Sequence, residues 1–351
     1  MILILLFVFA MFYVTSEVVF RQVLSQLIAD ETYKYWAHVA IIILGQSSWI
    51  LLATMFLPQH RIYDRVLFFI FIIFLYMFFM VFALKIANTF INFDMQKAVI
   101  VAVSLAIVIA LLGHVNTYFP TFTRYKIHTS KNINKKIAFI SDLHFGDLMM
   151  TPKLMHSAIE KIKTEKVDYL IIGGDIIEGR IENFDKYSDF FSNSGVKTFA
   201  VLGNHDYYRK DHIEGAKRLE NAGINVLLDE YILIDGFYLI GREDKTNHNR
   251  KKVSEIMQGI DKSKFMLLID HNPKFFDEAM EQGADLQLSG HTHNGQMFPF
   301  NLVVKKMYEK PYGQLDKGKS TLITSSGLAG WGPPIKIGSP VEIVIVEINN
   351  N

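Results

Sequence analysis

The chain has 351 residues, enough for two domains, and half of them are apolar, including 28 Phe and 14 Met. That composition excludes intrinsic disorder, and a net charge of +1 excludes the strongly basic balance of a nucleic-acid binder. The absence of cysteine excludes disulfides, thiolate catalysis and cysteine metal sites.

The charges are unevenly spread. Of 71 charged side chains, only 11 precede Thr121. Ala37–Leu57, Val66–Leu84 and Ala98–Val115 contain no Asp, Glu, Lys or Arg, and each has 18 or more residues. As helices they are long enough to span the roughly 30 Å hydrocarbon core of a bilayer. Met1–Phe20 has neither a basic start nor a small-residue cleavage site, so it is expected to stay as an uncleaved anchor. Residues 1–120 are therefore expected to form a membrane anchor of about four transmembrane helices. The three uncharged spans carry no Asp, Glu, Lys or Arg, which favours anchoring over transport. With four spans, both termini share a side. Arg61, Arg65, Arg124, Lys126, Lys131, Lys135 and Lys136 would lie there, against Arg21, Lys34, Lys85 and Lys97 opposite. The positive-inside rule then places the C-terminal domain in the cytoplasm.

Residues 121–136 are polar and basic and are expected to be a linker. From residue 137 onward, short apolar runs end in polar turns. Lys136–Ser141 leads to Asp142, Asp168–Ile172 to Gly174 and Asp175, and Val196–Leu202 to Gly203-Asn204-His205-Asp206. Phe265–Ile269 leads to Asp270 and His271, and Leu286–Leu288 to Gly290-His291-Thr292-His293. Such runs are expected as buried strands, with helices between several of them, as at Thr151–Thr164 and His212–Ala222. Asp235-Gly236 marks a hairpin, and Thr321–Ser325 and Val341–Ile348 are late strands. Phe184, Tyr187, Phe190 and Phe191 follow a helical stripe best explained by a core. Leu302, Val303, Val304, Met307 and Tyr308 pose the same question, with a groove for acyl chains as the other answer.

The turns share ligand chemistry, since five of the 12 His lie on them. Carboxylate, amide oxygen and imidazole without sulfur suit divalent Mn, Fe, Zn or Mg. Each motif alone is an ordinary turn. Five in succession would stack buried polar groups that need a common partner.

In this order the motifs resemble those of the calcineurin-like metallophosphoesterases, over roughly Lys136–Ile348. The resemblance implies an α/β fold of two β-sheets sandwiched between helices, over residues 137–351, and two divalent ions, with Mn2+ the first expectation. Asp142, His144 and His293 would hold one ion, Asn204, His271 and His291 the other, and Asp175 would bridge them. His205 would donate to the phosphate or leaving oxygen, and Asp206 would orient His205. Asn294 and Lys336 stand where the membrane-associated bacterial branch usually has Gly and Arg; both are candidates for substrate contact. In build, the chain looks like the bacterial enzymes that cleave UDP-2,3-diacylglucosamine to a lipid monophosphate and UMP in lipid A synthesis. The implied partners are a bilayer and a lipid-linked phosphate, with no nucleic acid, at the bacterial inner membrane. Another membrane lipid or cell-wall phosphoester is the alternative substrate, and a non-catalytic scaffold is the alternative of another class.

Overall fold

The computed structural model describes residues 2–54, 61–209 and 211–350. It divides into two compact units, one of residues 1–114 with 332–334 and one of 115–331 with 335–351.

The first unit is helical, with helices Ile2–Val19, Glu31–Thr54, Arg61–Asn88 and Met95–Asn116. Three of them approach closely at Gly45, where an added Cβ would sit 2.6 Å from Ser16 Oγ and 2.8 Å from the Phe74 ring. On Met95–Asn116 the buried residues are small: Val99, Ala102, Ala106, Ala110 and Gly113. Larger apolar residues of that helix, such as Leu105, Leu111 and Leu112, face outward. Among the described residues, two helical stretches are long and apolar enough to cross a membrane, Asp64–Asn88 and Met95–Asn116. The expected count of about four is not reached. The first helix gives way at Phe20–Leu24 to a π-helical turn around Arg21, which pairs with Glu17 at 3.0 Å. The end of the expected Ala37–Leu57 span lies outside the described residues.

The second unit holds twelve strands among the described residues. They are β1 (Thr121–Thr129), β2 (Lys135–Ile140), β3 (Tyr169–Gly173), β4 (Lys197–Val201), β5 (Ile224–Val226), β6 (Glu230–Ile234), β7 (Phe237–Gly241), β8 (Met266–Ile269), β9 (Leu286–Ser289), β10 (Gly313–Lys317), β11 (Ser320–Thr324) and β12 (Glu342–Asn350). Two six-stranded mixed sheets result, ordered β1-β12-β2-β3-β4-β5 and β10-β11-β9-β8-β7-β6. Strand alternation assigns each sheet two apolar faces. Ile137, Phe139, Ile171, Phe199 and Val201 meet Leu239, Leu267, Ile269 and Leu288 in a shared core between the sheets. The intervening Ala138, Ile140, Leu170 and Ile172 pack on helix Pro152–Thr164 and on the buried Phe184, Tyr187 and Phe191. That aromatic stripe is therefore core.

The segment expected as a linker is mostly strand. β1 runs parallel to β12 over nine residue pairs, and Arg124 forks onto Glu165 at 2.7 and 2.8 Å. Its charges suit an edge strand, which needs only one covered face and resists further pairing. The hairpin is as expected: Ile234 pairs with Phe237, and Asp235 and Gly236 both have positive φ, 46° and 86°.

Because β2, β3 and β4 run parallel, and β7, β8, β9 and β11 run parallel in the other sheet, strand ends gather. The loops leaving β2, β3, β4, β8 and β9 carry the polar motifs, as ligand sites do in open α/β sheets.

Candidate metal centre

The backbone of these loops is unusual. Asp142, His144, Asp175, His291 and His293 have φ of 57°, 45°, 51°, 73° and 49°, in the left-handed region that most side chains avoid. Each such residue costs about 1–3 kcal/mol, held in place by the surrounding sheets. Asp142 N donates to Gly174 O at 3.0 Å and His144 N to Asp175 O at 2.9 Å, tying the first two loops together. Gly203 is required by contact: a Cβ there would lie 2.3 Å from Asp175 Oδ1.

The side chains converge. Asp142, His144, Asp175 and His293 are buried and each offers a donor atom within 4.8 Å of the others, as do Asp175, His271 and His291. Asp175 belongs to both groups. His271 Nε2 lies 3.1 Å and His144 Nε2 3.9 Å from Asp175 Oδ2, and His293 Nε2 lies 3.5 Å from Asp142 Oδ1. The far side of the His271 ring is fixed, with Nδ1 2.7 Å from the Gly173 carbonyl oxygen. Among the described residues, His144 Nε2 and Asn204 Oδ1 are buried without a hydrogen-bond partner, and His271 Nε2 faces only the shared Asp175 carboxylate. Leaving such atoms bare is costly, and a divalent cation is the partner their chemistry suits. The donor set thus fits the metals its motifs implied.

Electrostatics prepare some of these ligands. Burial and the neighbouring His271 charge push His291 down to about 4, and burial takes His293 down to about 3 against the pull of Asp142. Both imidazoles are thereby neutral, the form that binds a metal. Burial opposes charge on His144, but the Glu178 hydrogen bond and the Asp175 carboxylate override it and push its pKa up to about 9.

Two roles differ from expectation. Asp206 does not orient the His205 ring. Its carboxylate accepts from the backbone N–H groups of Ile176, Ile177 and Gly203 at 2.9–3.2 Å, bracing the loops around Asp175. Glu178 takes that orienting place: its Oε2 lies 2.6 Å from His205 Nδ1 and 3.0 Å from His144 Nδ1. Burial raises Glu178, but those two histidines bring it down to about 2. The sequence signal was available, since an acid three residues after Asp175 leaves the same strand end. Lys336 is also reassigned. It is fully buried, and its ammonium donates to the carbonyls of Ser326, Gly327 and Pro340 at 2.8, 2.6 and 2.9 Å. Asn294 donates to Gly338 O at 3.3 Å.

A family model described as calcineurin-like phosphoesterase matches residues 135–295. An uncharacterized metallophosphoesterase of Aquifex aeolicus is 32% identical, over 70% of this chain and 97% of its own. One from Helicobacter pylori is also 32% identical, over 61% of this chain, and the chain spans 59% of its length. A Bos taurus protein named as a transmembrane protein with metallophosphoesterase domain is 26% identical, over 69% of this chain and 60% of its own. Among solved structures, the Thermus thermophilus protein TT1561 superposes on 55% of this chain and 89% of its own, at TM-score 0.38 and 10% identity. The chain belongs to the calcineurin-like metallophosphoesterases and is a phosphoester hydrolase.

Proposed function

We propose that the protein is a membrane-anchored two-metal hydrolase of a lipid-linked phosphate or pyrophosphate. The observation that carries the chemistry is the convergence of the buried His144 Nε2 and Asn204 Oδ1, without a hydrogen-bond partner among the described residues, and of His271 Nε2, His291 and His293 around Asp142 and Asp175. Asp142, His144 and His293 would hold one divalent ion and Asn204, His271 and His291 the other, with Asp175 shared. Bound there, the ions would supply charge for the phosphate oxygens and acidify a water. Mn2+ is the first ion to test.

The chain's own groups do the positioning. Asp175 Oδ1 accepts from His205 N at 2.8 Å, locking the His205 backbone to the shared ligand. Glu178 holds His205 Nδ1, which leaves Nε2 to give a proton to the leaving oxygen. Burial lowers the His205 pKa, but the Glu178 hydrogen bond and the Asp175 charge raise it overall, which keeps a proton on the ring to a higher pH.

The apolar N-terminal helices support an amphiphilic substrate, because an anchor keeps the site within reach of lipid head groups. UDP-2,3-diacylglucosamine, cleaved to a lipid monophosphate and UMP on the cytoplasmic face of a bacterial inner membrane, is the specific substrate we propose. The test is UMP release by detergent-purified full-length protein with Mn2+, against His205→Ala. Release by wild type alone supports reaction, site and substrate. No UMP but hydrolysis of an aryl phosphodiester, again lost in His205→Ala, keeps the metal chemistry and moves the substrate to another lipid or cell-wall intermediate. No hydrolysis of either ester leaves a scaffold.

A further inference from the structure

Helices of the second unit bury their apolar stripes. Pro152–Thr164 hides Leu154, Met155, Ala158, Ile159 and Ile162 in the core. Phe300–Met307 does the reverse. Phe300, Val303, Val304 and Met307 have the i, i+3, i+4, i+7 spacing of one helix face, yet no residue of this helix is buried. Val303 is 53% and Met307 61% exposed. The helix begins seven residues after His293, and the turn between them packs closely on the helix start: an added Cβ on Gly295 would lie 2.5 Å from Asn301 N. Trp331, 44% exposed, is held against the same turn, where Gln296 Nε2 donates to its carbonyl oxygen at 3.1 Å. Lys305 and Lys306, both exposed, flank the apolar face.

We propose that this helix is an interfacial element: its apolar face, with Trp331, rests in the head-group layer of the bilayer while Lys305 and Lys306 meet anionic lipid phosphates. The inference rests on the membrane reading of the N-terminal helices. Three features select a bilayer as the occupant. An apolar stripe edged by lysines and a nearby Trp is the pattern of helices that lie in the interface plane, seated about 5–10 Å deep. The two lysines complement an anionic leaflet. The same chain carries two helices long and apolar enough to cross that membrane, the second ending at Asn116, five residues before β1 begins. Glu309, the nearest acid that follows, is paired with Lys317 at 3.1 Å. The proposal gives the metal centre a defined approach: substrate would reach it from the lipid surface, with the helix beside the His291 and His293 loop.

The absence of cysteine makes the test direct. Full-length protein carrying Val303→Cys is labelled with a nitroxide and reconstituted in vesicles of phosphatidylcholine with a minority of phosphatidylglycerol. Leu105→Cys on the outward face of Met95–Asn116 serves as the membrane reference and Lys217→Cys as the aqueous one. The expected result is a several-fold higher ratio of oxygen to nickel-chelate accessibility at residue 303 than at 217, falling toward the aqueous value when the anionic lipid is omitted and salt is raised. A residue-303 ratio equal to that of residue 217 overturns the proposal. So does dipolar broadening at residue 303 that disappears on dilution with unlabelled protein, which would make a second copy the occupant. A Leu105 label that reads as aqueous sinks the membrane reading and this inference with it. None of these readouts depends on hydrolysis, so failure of the proposed substrate is scored separately.

Discussion

Glu178 is brought into the site by its contacts with two histidines, and Glu178→Gln isolates its role. The substitution preserves shape but removes the charge. One carboxylate oxygen serves two rings, His205 Nδ1 at 2.6 Å and His144 Nδ1 at 3.0 Å. The amide oxygen of Gln can accept from one ring, while its NH2 would oppose an N–H. A hydrogen bond to a charged group contributes about 1.5–3 kcal/mol, and about 1.4 kcal/mol is tenfold in rate. Loss of one such bond therefore predicts a fall in kcat of roughly 10- to 100-fold, within the range for groups that support metal ligands. The pH dependence carries a sign. The Glu178 hydrogen bond is the largest influence holding the His205 pKa up against burial, so its loss lowers that pKa. On the proposed proton-donating role of His205, the ring then loses its proton at lower pH, and the alkaline limb of kcat moves toward acid. The assay is hydrolysis of an aryl phosphodiester across pH at saturating Mn2+. Glu178→Asp tests reach and should lose less than the amide. A Glu178→Gln enzyme within threefold of wild type, with an unmoved alkaline limb, would refute the orienting role.

Gly203→Ala places a Cβ 2.3 Å from Asp175 Oδ1, so it should weaken Mn2+ binding measured by calorimetry and cost about 1–3 kcal/mol of stability. Asp206→Ala strips an acceptor from three backbone N–H groups, so its main effect should be stability, a loss of at least about 1–3 kcal/mol in chemical denaturation. Glu165 is held at about 2 by the Arg124 and Lys136 hydrogen bonds, below its usual 4.5. Its contribution is complete above pH 4.5 and fades as pH falls toward 2, so Glu165→Gln should lower Tm at neutral pH, with the difference narrowing through that window. Chelation should also lower Tm, because Mn2+ at about a thousandfold its Kd adds about 4 kcal/mol, roughly 10 °C for a unit of this size. An unchanged Tm would argue against metal at these loops.

The strands that bury both faces were legible as apolar runs: β2, β3, β4, β8 and β9 lie within a residue or two of their expected positions. The ligand turns followed, since each motif begins where its run ends. What escaped was structure without an apolar signature. β1 alternates charges with apolar residues because it is an edge, so it resembled a linker. β5 has only three residues, and β10 is half-buried and polar. The Asp206 assignment failed for a different reason. Adjacency in sequence suggested contact with His205, but in the short helix Asn204–Tyr208 successive side chains diverge, and Asp206 turns back to cap the chain at Gly203. The helix after the His pair was equally opaque: its apolar stripe left a core contact and an acyl groove both open, and none of its residues is buried.

The arrangement on Met95–Asn116 reverses the usual relation between side-chain size and tolerance to substitution. Ala102, Ala106 and Ala110 are buried, whereas Leu105, Leu111 and Leu112 face out. A library scan across this helix should therefore accept nearly any apolar exchange at the leucines. It should reject enlargement at the alanines, which are buried at 0–3% exposure, so that an isobutyl group in place of methyl would have to displace neighbours. In the catalytic unit the large residues are the guarded ones. Two halves of one polypeptide thus answer to opposite rules of variation, and a single substitution matrix applied to the whole chain would misjudge one of them.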